Sequence, residues 1–101
     1  MRLNDFEVRT IKQAIQRRFG PASRVLLFGS RTNDDRRGGD IDLLVETGEA
    51  EKDAFQHKLE AITDMQLALG ERKIDLVTAP PEGVLDPRPI VRIARETGIA
   101  L

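Results

Sequence analysis

The chain has 101 residues, of which 40% are hydrophobic and 33% charged, and this composition predicts one domain over residues 1–101 with a small core. The net charge of −1 excludes a strong electrostatic field that attracts nucleic acid. Aromatic residues make up 4% of the chain and include no Trp or Tyr, which excludes a stacking surface for bases. No apolar stretch reaches the roughly 18 residues of a membrane span, and no signal-peptide core is present, so we expect a cytoplasmic protein without membrane or direct nucleic-acid binding.

The first predicted elements are a helix and a strand. Asn4 and Glu7 have the spacing of a capping box, which predicts that a helix begins there, and Gly20-Pro21 predicts where it ends. The segment Arg24–Phe28 is short and apolar and ends at a glycine, which predicts a buried strand.

Gly29 and Ser30 follow this strand and begin a polar loop over residues 31–39. A glycine at this point lets a phosphate approach the backbone closely. A serine at the start of a turn offers a hydroxyl and backbone N–H groups that suit anions. Arg31 follows the pair directly and is a further candidate for nucleotide binding, whereas Arg36 and Arg37 are expected to be solvated loop charges.

The most informative motif is Asp40-Ile41-Asp42 at the start of an aliphatic run. The run predicts a second strand, on which residues two apart share a face and lie about 6.6 Å apart. Two carboxylates in this arrangement are able to share a pair of metal ions about 3.5–4 Å apart. Ile41 and the alternate residues after it are expected to enter the core.

Two more helices and a third strand are predicted after the motif. Apolar residues spaced three and four apart predict a helix over about residues 50–69, with the stripe from Phe55 to Leu69 in the core, His57 on the surface and Gly70 at its end. Lys73–Thr78 predicts a strand on which Asp75 faces away from the buried side chains. Pro80–Gly83 breaks the pattern. A last helix is predicted over Arg88–Thr97.

The apolar residues of the last predicted helix leave two alternatives open. Either all of them belong to the core, or half belong to the core and half to a surface that binds a partner. The order of elements predicts an α+β fold, a small mixed β-sheet packed against helices.

The predicted strands bring Asp40, Asp42 and Asp75 toward one site. Three clustered carboxylates repel one another, which raises the pKa of at least one of them unless a cation is bound. Oxygen ligands favour Mg²⁺ or Mn²⁺. The chain has no Cys and one His, so a zinc site built from these residue types is excluded.

Each motif alone is common in turns and at strand edges, but together they resemble the nucleotidyltransferase superfamily of DNA polymerase beta. The segments LLFGSR, GGDIDLLVET and KIDLV are similar to the minimal nucleotidyltransferases, the antitoxin-type partners of HEPN toxins. The resemblance implies a palm-like fold, a phosphate-binding role for Gly29 and Ser30, and metal binding by Asp40 and Asp42. It further implies that Asp75 binds one metal and activates the acceptor hydroxyl. The loop between Ser30 and Asp40 is one residue shorter than is common in the family.

The resemblance also implies a function. The chain is expected to be a protein adenylyltransferase-like enzyme that moves AMP from ATP onto a hydroxyl of a partner protein, with a HEPN-type toxin as partner and acceptor. Two alternatives stay open at this stage. One is a non-catalytic antitoxin that neutralises its partner by binding, and the other is the catalytic subunit of a small-molecule nucleotidyltransferase.

Overall fold

A computed structural model describes residues 3–29 and 40–101. In chain order the described elements are α1 (Asp5–Phe19), β1 (Arg24–Phe28), β2 (Ile41–Glu46), α2 (Glu51–Leu69), β3 (Ile74–Ala79), α3 (Pro89–Thr97) and β4 (Ile99–Ala100). The predicted α+β class is confirmed, and so is the predicted order of its helices and first three strands. The two-residue strand β4 was not predicted.

The four strands form one mixed sheet in the order β3-β2-β1-β4. β1 is antiparallel to both β2 and β4, whereas β2 and β3 are parallel and are joined by α2. A parallel pair needs such a long crossover connection, which a helix supplies. The ends of β1 and the beginnings of β2 and β3 therefore lie at the same edge of the sheet.

The helix ends follow the predicted signals. The Asn4 side chain accepts a hydrogen bond from Glu7 N at 2.8 Å, and Glu7 Oε1 accepts one from Asn4 N at 2.9 Å, which confirms the capping box. Gly20 and Gly70 end α1 and α2, each with its N–H donating to a carbonyl in the last turn.

Helices α1 and α2 cover one face of the sheet. The side chains that meet there are apolar and almost all fully buried, and they include Ile11, Ile15, Val25, Leu27, Ile41, Leu43, Val45, Ala61, Met65 and Leu76. The predicted burial of Ile41 and the alternate residues after it is confirmed.

Helix α3 covers the other face of the sheet. Val91 and Ala94 pack there against Leu26, Phe28, Leu44 and Ala79. Because side chains alternate along a strand, Asp42 and Glu46 lie on this same α3 face of β2. Glu46 is 3% exposed and pairs with Arg95, whose Nε lies 2.9 Å from Glu46 Oε2.

The predicted core stripe of α2 is confirmed for Met65, which is fully buried, and for Ile62 and Leu69, which pack against the core. It was wrong for Phe55 and Leu59, which are 59% and 46% exposed. Ala54 and Ala61 are buried instead. His57 is half-buried rather than on the surface, with Nδ1 2.7 Å from Glu49 Oε2 and its ring edge-on to Phe19.

For α3, the structure supports the division between core and exposed apolar residues. Val91 and Ala94 are fully buried, while Ile90 and Ile93 are 41% and 46% exposed. Among the described residues, no helix combines the length and the apolarity that crossing a bilayer requires.

Candidate active site

Asp42 and Asp75 are direct neighbours on the parallel strands β2 and β3. Adjacent strands lie about 4.8 Å apart, so these two carboxylates start from neighbouring positions at one edge of the sheet. Asp42 is half-buried, and the side chain of Asp75 is 53% exposed. Both acids thus belong to strands of the sheet and remain accessible from solvent.

Asp40 lies one residue before β2 and is exposed. The strand ladder reaches this point, since Ile41 N donates to Lys73 O at 2.9 Å. Within residues 3–29 and 40–101, no three acidic, histidine or cysteine side chains are grouped closely enough to hold a metal ion. The structure therefore brings together Asp42 and Asp75, and it does not join Asp40 to them in a three-acid cluster.

Gly29 follows β1 directly beside Asp42, whose register partner on β1 is Phe28. Its φ of 75° lies in the left-handed region that favours glycine. A Cβ at this position would overlap Asp42 Oδ2 and lie 3.1 Å from Asp42 Cγ. The backbone conformation therefore favours glycine, and an added Cβ would have to displace the Asp42 carboxylate.

Several predicted site residues fall outside the part of the chain that the structure describes. These are Ser30 and Arg31, with the loop residues Arg36 and Arg37. Their roles stay predictions from the sequence.

Lys73 is a site residue that the sequence analysis did not identify. Its Nζ lies 4.0 Å from Asp75 Oδ2, and both side chains are more than half exposed, so the pair contributes little to stability. The signal was present in the sequence, because Lys73 and Asp75 are two residues apart and share a face of the predicted strand. Lys73 places one positive charge beside the Asp75 carboxylate.

A pocket of about 900 Å³ lies at the opposite end of the sheet, beyond the ends of β2 and β3. Its lining includes Thr47, Phe55, Thr78 and Arg88, and neither Asp42 nor Asp75 contributes to it. This pocket therefore does not mark the acidic site among the described residues.

Comparison with known proteins gives the family. A family model described as a nucleotidyltransferase domain matches residues 8–100, a range that contains Gly29, Asp40, Asp42 and Asp75. A search of curated proteins found no match. The match spans nearly the whole chain and agrees with the mixed sheet and its paired acids, so the chain belongs to the nucleotidyltransferase domain family.

Proposed function

We propose that this chain transfers AMP from ATP onto a hydroxyl group of a partner protein. Nucleotidyl transfer as such follows from family membership, since nucleotidyltransferase domains use a nucleoside triphosphate and a divalent metal. The single observation that carries the proposal is the register of Asp42 with Asp75 beside Gly29.

The chemistry of the donors fits a hard divalent cation. Asp42 and Asp75 present carboxylate oxygens from adjacent strands, and Asp40 adds a third exposed carboxylate just before β2. These oxygen ligands favour Mg²⁺ or Mn²⁺. When bound, such an ion stabilises negative charge on phosphoryl oxygens.

The residues of the chain then have separate tasks. Gly29 has no side chain, so the Asp42 carboxylate lies directly against the turn that is proposed to receive the triphosphate. Asp75 is the more exposed of the paired acids and is available to take the proton of the acceptor hydroxyl. The acceptor oxygen forms a bond to the α-phosphorus, the bond from that phosphorus to the β-phosphate breaks, and pyrophosphate leaves.

The identity of the acceptor is supported by the sequence resemblance. The segments around Gly29, Asp42 and Asp75 are similar to the minimal nucleotidyltransferases that pair with HEPN toxins. The chain contains no tyrosine, so a tyrosyl acceptor belongs to another protein. We therefore propose a HEPN-type toxin as partner and acceptor, silenced by the transfer.

A binding antitoxin without catalysis is the second candidate. It is favoured by exposed apolar side chains such as Leu85 at 94% and Phe55 at 59%. Where exposed apolar side chains form a contiguous patch, they are typical of surfaces that bind other proteins.

One experiment separates the two candidates. The purified chain is incubated with ATP, Mg²⁺ and a HEPN-type partner, and the intact mass of the partner is measured. A gain of one or more AMP units that Asp42→Asn abolishes supports the enzyme. A stable complex with unchanged masses supports the binder. Glu96→Gln, an exposed acid on α3, is the control and should transfer as the wild type does.

A further inference from the structure

One flank of helix α3 is polar, and its contacts lie at the end of the sheet next to the pocket. Arg95 pairs with Glu46 at the end of β2, and its Nη2 donates to Pro80 O at 2.8 Å, just after β3. Its Nη1 donates to Val84 O at 2.8 Å. This flank of α3 therefore faces the end of the sheet that lies away from Asp42 and Asp75.

Ile90 and Ile93 lie on the other flank of α3. At about 100° per residue, they are about 140° and 160° around the helix from Arg95. The buried residues Val91 and Ala94 lie between the two flanks and face the sheet. Ile90 and Ile93 therefore face the edge of the sheet that carries Gly29, Asp42 and Asp75.

The residues beneath α3 lie close to the acids along the strands. Leu44 and Val77 belong to the cluster under α3, and they lie two residues after Asp42 and Asp75 on the same strands. Two residues of strand span about 6.6 Å. A ribose separates the base of a nucleotide from its α-phosphate by a comparable length.

We propose that Ile90 and Ile93 form the apolar surface against which the base of a bound nucleoside triphosphate packs. This inference rests on the proposed function and adds a base-binding subsite to it. The two side chains remain 41% and 46% exposed, so they offer apolar area to a flat ring. They carry no hydrogen-bonding group, so this surface favours large bases over small ones without reading their polar edges.

The test measures binding by calorimetry in the presence of Mg²⁺, with ATP, UTP and inorganic tripolyphosphate as ligands. The double variant Ile90→Ala/Ile93→Ala should bind ATP about tenfold more weakly, in line with the lost apolar contact. The loss for UTP should be smaller, and tripolyphosphate should bind as it does to the wild type. Leu67→Ala is the matched control, because Leu67 is an 82% exposed aliphatic residue on α2, on the other side of the sheet.

The possible failures are distinguishable. If the wild type binds ATP more tightly than tripolyphosphate and the double variant binds ATP as tightly as the wild type does, the base subsite is wrong while the proposed function stands. An equal loss for ATP and tripolyphosphate also overturns the subsite, because α3 would then act on the phosphate site. If the wild type binds neither ligand, both the subsite and the proposed function fail.

Discussion

At the scale of single residues, Gly29 combines a left-handed backbone with close approach to Asp42. We expect Gly29→Ala to lose about 1–2 kcal/mol of unfolding free energy from the backbone conformation alone, and more from the overlap with Asp42. Gly70→Ala is the matched control, because Gly70 has φ 92° and no atom within 4 Å of an added Cβ. Urea denaturation measures both variants.

Only Gly29→Ala should also reduce nucleotidyl transfer, since only its Cβ displaces the Asp42 carboxylate. If the two glycine variants lose equal stability and keep equal activity, the close approach of Gly29 to Asp42 has no functional role.

Asp75 is predicted to act in chemistry rather than in folding. Asp75→Asn removes like-charge repulsion with Asp42, so the metal-free protein should keep its stability or gain up to about 1 kcal/mol. Transfer should fall at least about 100-fold, because a charged group at the reacting phosphate is lost. Thermal melts with and without Mg²⁺ and transfer assays measure these effects.

Mg²⁺ should raise the melting temperature of the wild type more than that of Asp75→Asn, because binding to the folded state stabilises it. A variant that loses stability in the absence of metal would instead assign Asp75 a structural role.

The residues of the site were predictable where strand alternation decides their positions. Alternation places Asp42 on the face of the sheet opposite to Ile41 and Leu43, and the same rule fixes the face of Asp75. Their position at the same edge of the sheet follows once β2 and β3 are known to be parallel. Asp40 was not predictable in the same way. It lies before the first ladder residue, where the alternation that orients strand side chains no longer applies.

At the scale of elements, the buried Glu46–Arg95 pair holds α3 on the sheet. The Glu46 side chain is only 2% exposed, and its Oε1 also lies 3.3 Å from Arg24 Nε. Arg95 in turn donates hydrogen bonds to three backbone carbonyls after β3. Arg95→Met should therefore cost about 3 kcal/mol, because it leaves a buried carboxylate with one partly exposed partner. Urea denaturation provides the measurement.

The double variant Glu46→Leu/Arg95→Met should recover most of that loss, because replacing both members of a buried pair avoids the uncompensated charge. Arg92→Met is the control, since Arg92 is exposed on the same helix. If Arg95→Met and Arg92→Met cost the same, the pair does not hold α3.

The elements themselves were largely predictable, and the misses have physical causes. Caps and glycines fix where α1 and α2 end, and apolar runs mark the first three strands. β4 has two residues, which is too short for periodicity to show, and it forms because the chain after α3 meets the free edge of β1. In α2, the small residues Ala54 and Ala61 face the core beside Met65, and a search for large apolar residues at helical spacing does not mark alanines.

At the scale of the whole molecule, one arginine–carboxylate pair lies on each side of the sheet. Arg18 Nε donates to Asp64 Oδ2 at 2.8 Å and links α1 to α2, and this hydrogen bond lowers the pKa of Asp64. At the start of α3, hydrogen bonds from the Arg88 side chain and backbone lower the pKa of Asp86 to about 2. Arg88 also donates to Thr78 O at 2.7 Å, which ties α3 to β3.

These depressed pKa values set the sign of the acid dependence. Both carboxylates take up protons more readily in the unfolded chain, whose Asp pKa is near 3.8, than in the folded protein. The stability that the two pairs contribute is therefore complete above that value. It is lost as the pH falls toward about 2, where Asp86 becomes protonated in the folded state.

We expect the unfolding free energy of the wild type to decline as the pH is lowered from about 5 to about 2. The double variant Asp64→Asn/Asp86→Asn should be less stable at neutral pH, decline less steeply, and converge with the wild type at the acidic end. Urea denaturation at a series of pH values measures both curves. Glu71→Gln is the control, because Glu71 is exposed and forms no ion pair with the described residues, and it should retain the wild-type slope. Parallel curves for the wild type and the double variant would show that these pairs do not link proton uptake to unfolding.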